Sequence, residues 1–431
     1  MSAKDIELLL NKDIKTIEVI YTDILGTFGS KMIPIESFKK NYLNGFGICV
    51  TSLGCDIQGE LLDGVELFGF ENGCPELLIK PILSTFKEVP WKKGYGYVLG
   101  DLYYENGDPF KLVPRYILKE IINKFNNLNY RPVVGVELEF YLLDSEKKPL
   151  EGGIHCYSHR RALEVENILG EIREKLDGLD IKVEASHVEY GPGQIEIVLE
   201  HDDALKIADN ATMAKNIIKE VARNNNLYAS FMSKPWATES GSGFHIHQSL
   251  FDINTNENIF QTNKQIAQYY LAGLTTSLSE LMALTSPTIN SYKRFTANSF
   301  APVVESWGKD NRTVAIRSLL SDSKSSRFEQ RIASSDSNAY LAIAASLAGG
   351  LNGILNKLQL EEEENSGYNS TKKRLPNNLK EALDILQESE LANKYFGKEF
   401  INIFVEFGKH EIKLFSEAIT DWEFNRYVEY V

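Results

Sequence analysis

Residues 131–144 read RPVVGVELEFYLLD. Side chains two apart on a strand point to one face, so Glu137 and Glu139 share a face. Val134, Val136, Leu138, Phe140 and Tyr141 give the same stretch the apolar character of a buried strand. Acids gathered in a dry place cannot all ionise unless cations balance them. The stretch therefore predicts a strand in a β-rich core and marks where to look for chemistry.

Three more segments carry the same alternation. In GFHIHQS (243–249), His245 and His247 share a face. In RFEQRI (327–332), Arg327, Glu329 and Arg331 line up. In EYGPGQIEI (189–197), a Gly-Pro-Gly turn can fold Glu189 and Glu196 towards each other. Each motif alone has an ordinary reading: solvated acids, a structural histidine pair, a salt-bridged surface ladder. Gly241-Ser242-Gly243 alone is weak support for a phosphate cradle. Their ordered occurrence in one chain is what points to a site. Glutamates with one histidine suit Mg²⁺ or Mn²⁺ rather than a structural zinc, which would want cysteine.

Around this core the chain has 431 residues, too many for one comfortable hydrophobic core at about 150 residues per domain. Acidic residues outnumber basic ones, 60 to 46, for a net charge of −14. No global positive field draws nucleic acid or anionic lipid, so neither is expected as a partner. Residues 1–12, MSAKDIELLLNK, lack the apolar core of a signal peptide, and no apolar run approaches the roughly 18 residues that span a bilayer. Cys49, Cys55, Cys74 and Cys156 form no C-x-x-C pair and read as free thiols in a reducing cytoplasm.

The first part is strand-like, with IKTIEVIYTDILG (14–26) and GYGYVLGDLYY (94–104), and closes on the turn Asn106-Gly107-Asp108-Pro109. Beyond it, helical spacing predicts helices over 115–128, 214–225, 266–285 and 338–358, and two or three in the tail from Leu379. Glu361–Glu364 reads as a solvated loop edge. The expected division is 1–107 and 108–431.

Taken together, VELEF (136–140), EYGPGQIE (189–196), FMSKP (231–235), SGSGFHIHQSL (240–250), NSYKRF (290–295), FAP (300–302), WGKDNRTVAIR (307–317), SKSSRFEQR (323–331) and NAYLAIAASLAGGLNGI (338–354) resemble the glutamine synthetase family over the whole chain. The resemblance implies an α+β fold: a small N-terminal β-grasp-like domain and a large catalytic domain with a curved antiparallel sheet. It implies ATP as co-substrate and two or more Mg²⁺ or Mn²⁺ ions per site. Glu139, Glu189 and Glu196 match the ligands of one ion, and Glu137, His245 and Glu329 those of the other. Arg294, Arg312 and Arg331 match positions that grip the acid substrate and the transferring phosphate, and Gly241 a backbone contact to the amino acid. His247, Ser249, Arg317, Lys324 and Arg327 match ATP contacts. Rings of six subunits, single or stacked into twelve, are implied as well.

Two departures from the family matter. Glutamine synthetases typically carry an acid in the flap six residues beyond the Arg of the KR motif; here that position is Phe300. They also carry an Asp in an N-terminal F-D-G-S-S stretch; here the region is Ile48-Cys49-Val50-Thr51-Ser52, without an acid. Both acids hold ammonium, so their loss resembles the relatives that make γ-glutamyl amides from organic amines. The expected activity is ATP-dependent joining of glutamate to a small organic amine through an acyl phosphate. The alternatives are an ammonia-using glutamine synthetase, in which Phe300 is merely a flap residue, and a non-catalytic scaffold or sensor. Glu305 and Asp322 are candidates for the proton acceptor.

Overall fold

The computed structural model describes residues 13–150 and 156–431. The reading of residues 1–12 lies outside them. The chain is α+β, with two sheets. The first contains β1 (Thr16–Thr22), β2 (Phe28–Pro34), β3 (Phe46–Cys49), β4 (Glu76–Pro81), β5 (Lys87–Glu88) and β6 (Tyr95–Tyr104), in the order β2-β1-β6-β4-β3 with β5 against β6. The alternation in 14–26 becomes β1, which buries Ile17, Val19 and Ile20.

The second sheet follows the turn at Asn106–Asp108. It contains β7 (Tyr130–Leu143), β8 (Val183–Val188), β9 (Gln194–Asp203), β10 (Tyr228–Ser230), β11 (Phe244–Asp252), β12 (Trp307–Lys309), β13 (Ile316–Leu319) and β14 (Arg327–Gln330). Its order is β12-β13-β14-β11-β7-β9-β8, with β10 on β7. Every pair is antiparallel except β12 with β13. The central strand β7 is the stretch on which the sequence reading turns. A register shift against β9 falls between Val134 and Val136, at Gly135, where a missing side chain tolerates a bulge.

Helices cover the sheet. Among the described residues, Ala339–Asn356 alone is long and apolar enough to cross a membrane, and 83% of it is buried inside the protein. It packs against the helix Lys264–Thr276 at a glycine contact. A Cβ on Gly353 would lie 2.0 Å from Tyr269 O, so only glycine allows the backbones this close.

Three helix expectations are revised. The helix expected from 214 begins at Ala204, directly after β9, because Ala204, Ile207, Ala208 and Ala211 extend its buried stripe. The helix expected over 266–285 is two, broken at Ser277, whose hydroxyl donates to Leu274 O at 3.2 Å and competes with the helical ladder. The tail holds four helices rather than two or three. Ser389 caps the second of them, and Gly397 at φ +86° interrupts the run before the third. Glu361–Glu364 is exposed for most of its length, yet it docks on β12, where Trp307 Nε1 donates to Glu361 O at 2.9 Å.

One buried ion pair ties the first sheet to the helices. Arg115, 5% exposed, donates to Asp101 Oδ1 of β6 at 2.7 Å and to both oxygens of Asp209 at 2.9 and 3.0 Å. Tyr340 donates to Asp209 as well, at 2.8 Å. Removing one partner of such a set strands the others without water. We therefore expect Arg115→Met to destabilise the protein by about 3 kcal/mol in urea titrations. An unchanged midpoint would mean that this junction does not hold the two parts together.

Candidate active site

Cross-strand register assembles the site. Across β7 and β11, Glu137 faces His245; across β7 and β9, Glu139 faces Glu196; across β8 and β9, His187 faces Glu196. On the other side, His247 faces Glu329, and Glu329 faces Arg317. The alternating motifs of four separate segments thus become neighbours on one face of one sheet.

Two cavities open on that face. One, of about 310 Å³, is lined by Glu137, Glu139, Glu189, Glu196, His245, Gly241, Arg294, Arg312, Arg331 and Phe300 among others. The other, of about 250 Å³, is lined by His247, Ser249, Lys324, Arg327 and Phe251, and by Glu137 again. Glu137 is therefore the wall between them. Of the residues singled out from sequence, Arg317 and Glu329 line neither cavity. Glu329 is buried and accepts from Arg317 at Oε2 (2.9 Å) and from Arg331 at Oε1, while Arg317 Nε also donates to the exposed Asp310 at 2.9 Å. Glu305 and Asp322 line neither cavity, and Glu305 pairs with Lys373 at 2.9 Å; as proton acceptors they are set aside.

The acids differ sharply in charge. Burial would raise the Glu329 carboxyl, but Arg331, His247 and His245 outweigh it and hold it down to about 2. Burial also opposes ionisation of Glu137. Its hydrogen bonds from His245 Nδ1 (2.7 Å) and His247 Nε2 (2.9 Å) nevertheless hold it well below the ordinary carboxyl range. Glu196 goes the other way: burial first, then the charges of Glu137, Glu139 and Glu189, push it up to about 10. Burial draws Arg294 down to about 10 even with Glu139 close by.

The basic side chains are held ready. Arg294 Nη2 donates to the carbonyls of Arg331, Ile332 and Ala333 at 2.9–3.2 Å, while Nε of both Arg294 and Arg331 is buried without a partner. Gly241 makes room for this packing, since a Cβ there would meet Arg294 Cγ at 2.4 Å. Gln194 locks the two glycine-bearing loops together: Nε2 donates to Gly241 O and Ser242 Oγ at 3.0 Å, and Oε1 accepts from Gly191 N at 2.9 Å.

The donor atoms suit divalent cations. Glu137, Glu196 and His245 each offer a ligand atom within 4.8 Å of the others; so do Glu137, His247 and Glu329, and His187, Glu189 and Glu196. The His245 ring sets Nδ1 against Glu137 and turns Nε2 towards Glu139, 3.6 Å away. Burial and Glu189 push the Cys156 thiol up to about 11, and no cysteine belongs to these three groups. Oxygen and imidazole donors without sulfur match Mg²⁺ or Mn²⁺. Glu139, Glu189 and Glu196 line one cavity; His187 stands beside Glu189 and Glu196, and Glu139 accepts from Gly243 N at 2.7 Å.

His187, Cys156, Tyr157 and Tyr190 were not singled out from sequence. His187-x-Glu189 repeats the alternation of the other motifs and was legible on that ground. Tyr190 follows Glu189 directly, and its ring stacks on Phe300, centroids 5.7 Å apart at 25°.

Glu329 folds with a depressed carboxyl, so its charge stabilises the protein above the ordinary carboxyl range and that contribution fades as pH falls through about 2. Glu196 folds with a raised carboxyl, so its contribution is present at low pH and is lost as pH rises towards about 10. In chelator-treated protein at pH 8, Glu329→Gln should therefore lower stability by roughly 3 kcal/mol, as for a broken buried pair. Glu196→Gln should leave stability unchanged or higher. Equal losses in melting experiments would contradict the charge assignment.

A family model described as glutamine synthetase, catalytic domain, matches residues 111–427. A glutamate–isopropylamine ligase of Pseudomonas sp is 37% identical over 441 residues, covering 97% of this chain and 96% of that one. A type-1 glutamine synthetase of Dictyostelium discoideum is 34% identical over 456 residues, covering 100% and 87%. A solved structure described as a GmaS/ADP complex superposes with a TM-score of 0.86 at 25% identity, covering 98% of this chain and 99% of that one.

Proposed function

The chain belongs to the glutamine synthetase family of ATP-dependent carboxylate–amine ligases, and from that premise we propose that it joins the γ-carboxylate of glutamate to an organic amine. Phe300 carries the reading. In the cavity that gathers the acids and arginines, this flap position presents a ring, 48% exposed, and not a carboxylate. A ring cannot replace the charge that would hold ammonium, but it can cover an alkyl group. The similarity to a glutamate–isopropylamine ligase supports the same reading.

The chemistry divides between the two cavities. ATP would occupy the one bounded by Phe251, Ser249, Lys324 and Arg327, whose two cations suit its phosphates. Glutamate occupies the other, its carboxylates gripped by the planar forks of Arg294, Arg312 and Arg331, each able to pair two oxygens. A carboxylate is a poor electrophile, so the γ-phosphoryl is transferred to it first, giving an acyl phosphate. The amine then attacks the carbonyl carbon, and phosphate leaves as hydrogen phosphate, carrying the proton the amine gives up. The arginines oppose the charge that spreads over the phosphoryl oxygens in transit. His187, Glu189, Glu196 and Glu139 would hold one divalent ion, and Glu137, His245, His247 and Glu329 the other; when bound they supply positive charge for the phosphoryl oxygens. Arg317 acts on this set by holding Glu329.

The same proposal includes the division near 107/108 and self-association into rings of six or twelve. Ile48–Ser52, the stretch that would carry the second ammonium acid, lies in β3 and the turn after it and lines neither cavity of its own chain. A neighbouring copy would bring it to the site. Exposed Ile419, Trp422, Phe424 and Tyr430 at the C-terminal end offer apolar area for such contacts.

Side-by-side kinetics test the amine. With ATP, Mg²⁺ and glutamate, kcat/KM for the best organic amine should exceed that for ammonia by at least about tenfold, or about 1.4 kcal/mol. Phe300→Glu should narrow the gap. A wild-type protein that prefers ammonia over every amine tried would hand the site to ordinary glutamine synthesis.

A further inference from the structure

We propose that Tyr190 is a specificity-determining residue for the amine: its ring and that of Phe300 form one two-ring wall on which the apolar part of the amine packs. The inference rests on the amine reading above and adds to it a residue from a different segment. Tyr190 belongs to the turn between β8 and β9, Phe300 to the loop before β12, and their rings meet at 5.7 Å and 25° along the edge of the cavity. Both stay open to solvent, Tyr190 at 39% and Phe300 at 48%. Two stacked rings left half-covered beside buried charges are apolar area that a ligand would remove from water.

The wall is anchored to the charged groups on either side. Tyr190 N donates to Glu189 Oε2 at 3.2 Å. Phe300 O accepts from Arg331 Nη2 at 3.4 Å. Phe300 also sits at φ +58°, a left-handed conformation that bulky residues rarely adopt. Strain of that kind persists only where surrounding contacts outweigh it, and here they turn the Phe300 ring onto Tyr190. Neither ring brings charge to the acid or the phosphoryl group. Each brings a flat apolar face and a π face, which suit an alkyl chain and the ammonium beside it. The substrate class that fits is a small primary amine with an aliphatic body.

The test is a homologous series: ammonia, methylamine, ethylamine, propylamine and butylamine. Phosphate release is followed at saturating ATP, Mg²⁺ and glutamate for wild type, Tyr190→Ala and Tyr190→Phe. In wild type, kcat/KM should climb about two- to fourfold per methylene, fourfold being the equivalent of roughly 0.8 kcal/mol. Tyr190→Ala should flatten that climb, so that its loss grows with chain length, mainly through KM. Tyr190→Phe keeps the ring and should keep the climb. A slope that survives in Tyr190→Ala, or a loss equal for every member of the series, would overturn the proposal; the second outcome would make Tyr190 a positioning residue for Glu189. Preference for ammonia in wild type, with a slope that Tyr190→Ala removes, would refute the amine reading while the wall stands. Amine preference with an undiminished slope in Tyr190→Ala would do the reverse.

Discussion

Too many carboxylates share one dry face of a sheet, and the rest of the site is arranged around that constraint. Glu137, Glu139, Glu189 and Glu196 all line one cavity, and Glu329 is buried. Like charges this close cannot all persist without cations. The protein supplies some of its own, through Arg317 and Arg331 on Glu329, while the imidazoles hydrogen-bond to Glu137. It leaves Glu196 without enough, and that carboxyl holds its proton. The residual deficit of positive charge is the property that suits the face to divalent ions.

The sheet makes the crowding unavoidable. Because register pairs Glu139 with Glu196, Glu137 with His245 and His247 with Glu329, no side-chain rotation separates them far. The surroundings then fix what surrounds the acids. Three successive backbone carbonyls hold Arg294, Gln194 holds two loops to each other, and Lys215 donates to the carbonyls of Ser335 and Ser337 from below. Glu137, shared by both cavities, is the place where a phosphoryl donor and a carboxylate acceptor would meet.

Much of this was legible because alternation on a strand is a strong local signal. VGVELEF, GFHIHQS and RFEQR named the acids, histidines and arginines before any pairing was known. What alternation does not carry is depth. Glu329 sits on an alternating strand like the other acids, yet it is fully buried, because burial depends on which strands flank β14. Nor does it carry contacts between distant loops: Tyr190 and Phe300 are far apart in sequence, and only the closing of the cavity brings their rings together. Helix limits failed for local reasons. Ser277 and Gly397 end helices through a side-chain hydrogen bond and a left-handed backbone, neither of which apolar spacing records.

In the metal-free cluster the raised Glu196 carboxyl should give up a proton when divalent cations bind. The direct measurement is proton release when Mn²⁺ or Mg²⁺ is added to chelator-treated protein in weak buffer at pH 7.5. Ligands must be deprotonated to bind a metal, and burial together with Glu137, Glu139 and Glu189 raises the Glu196 carboxyl to about 10 in the metal-free cluster. The account predicts release of about one proton per chain, and its loss in Glu196→Gln. Metal binding without proton release, or undiminished release in Glu196→Gln, would contradict it.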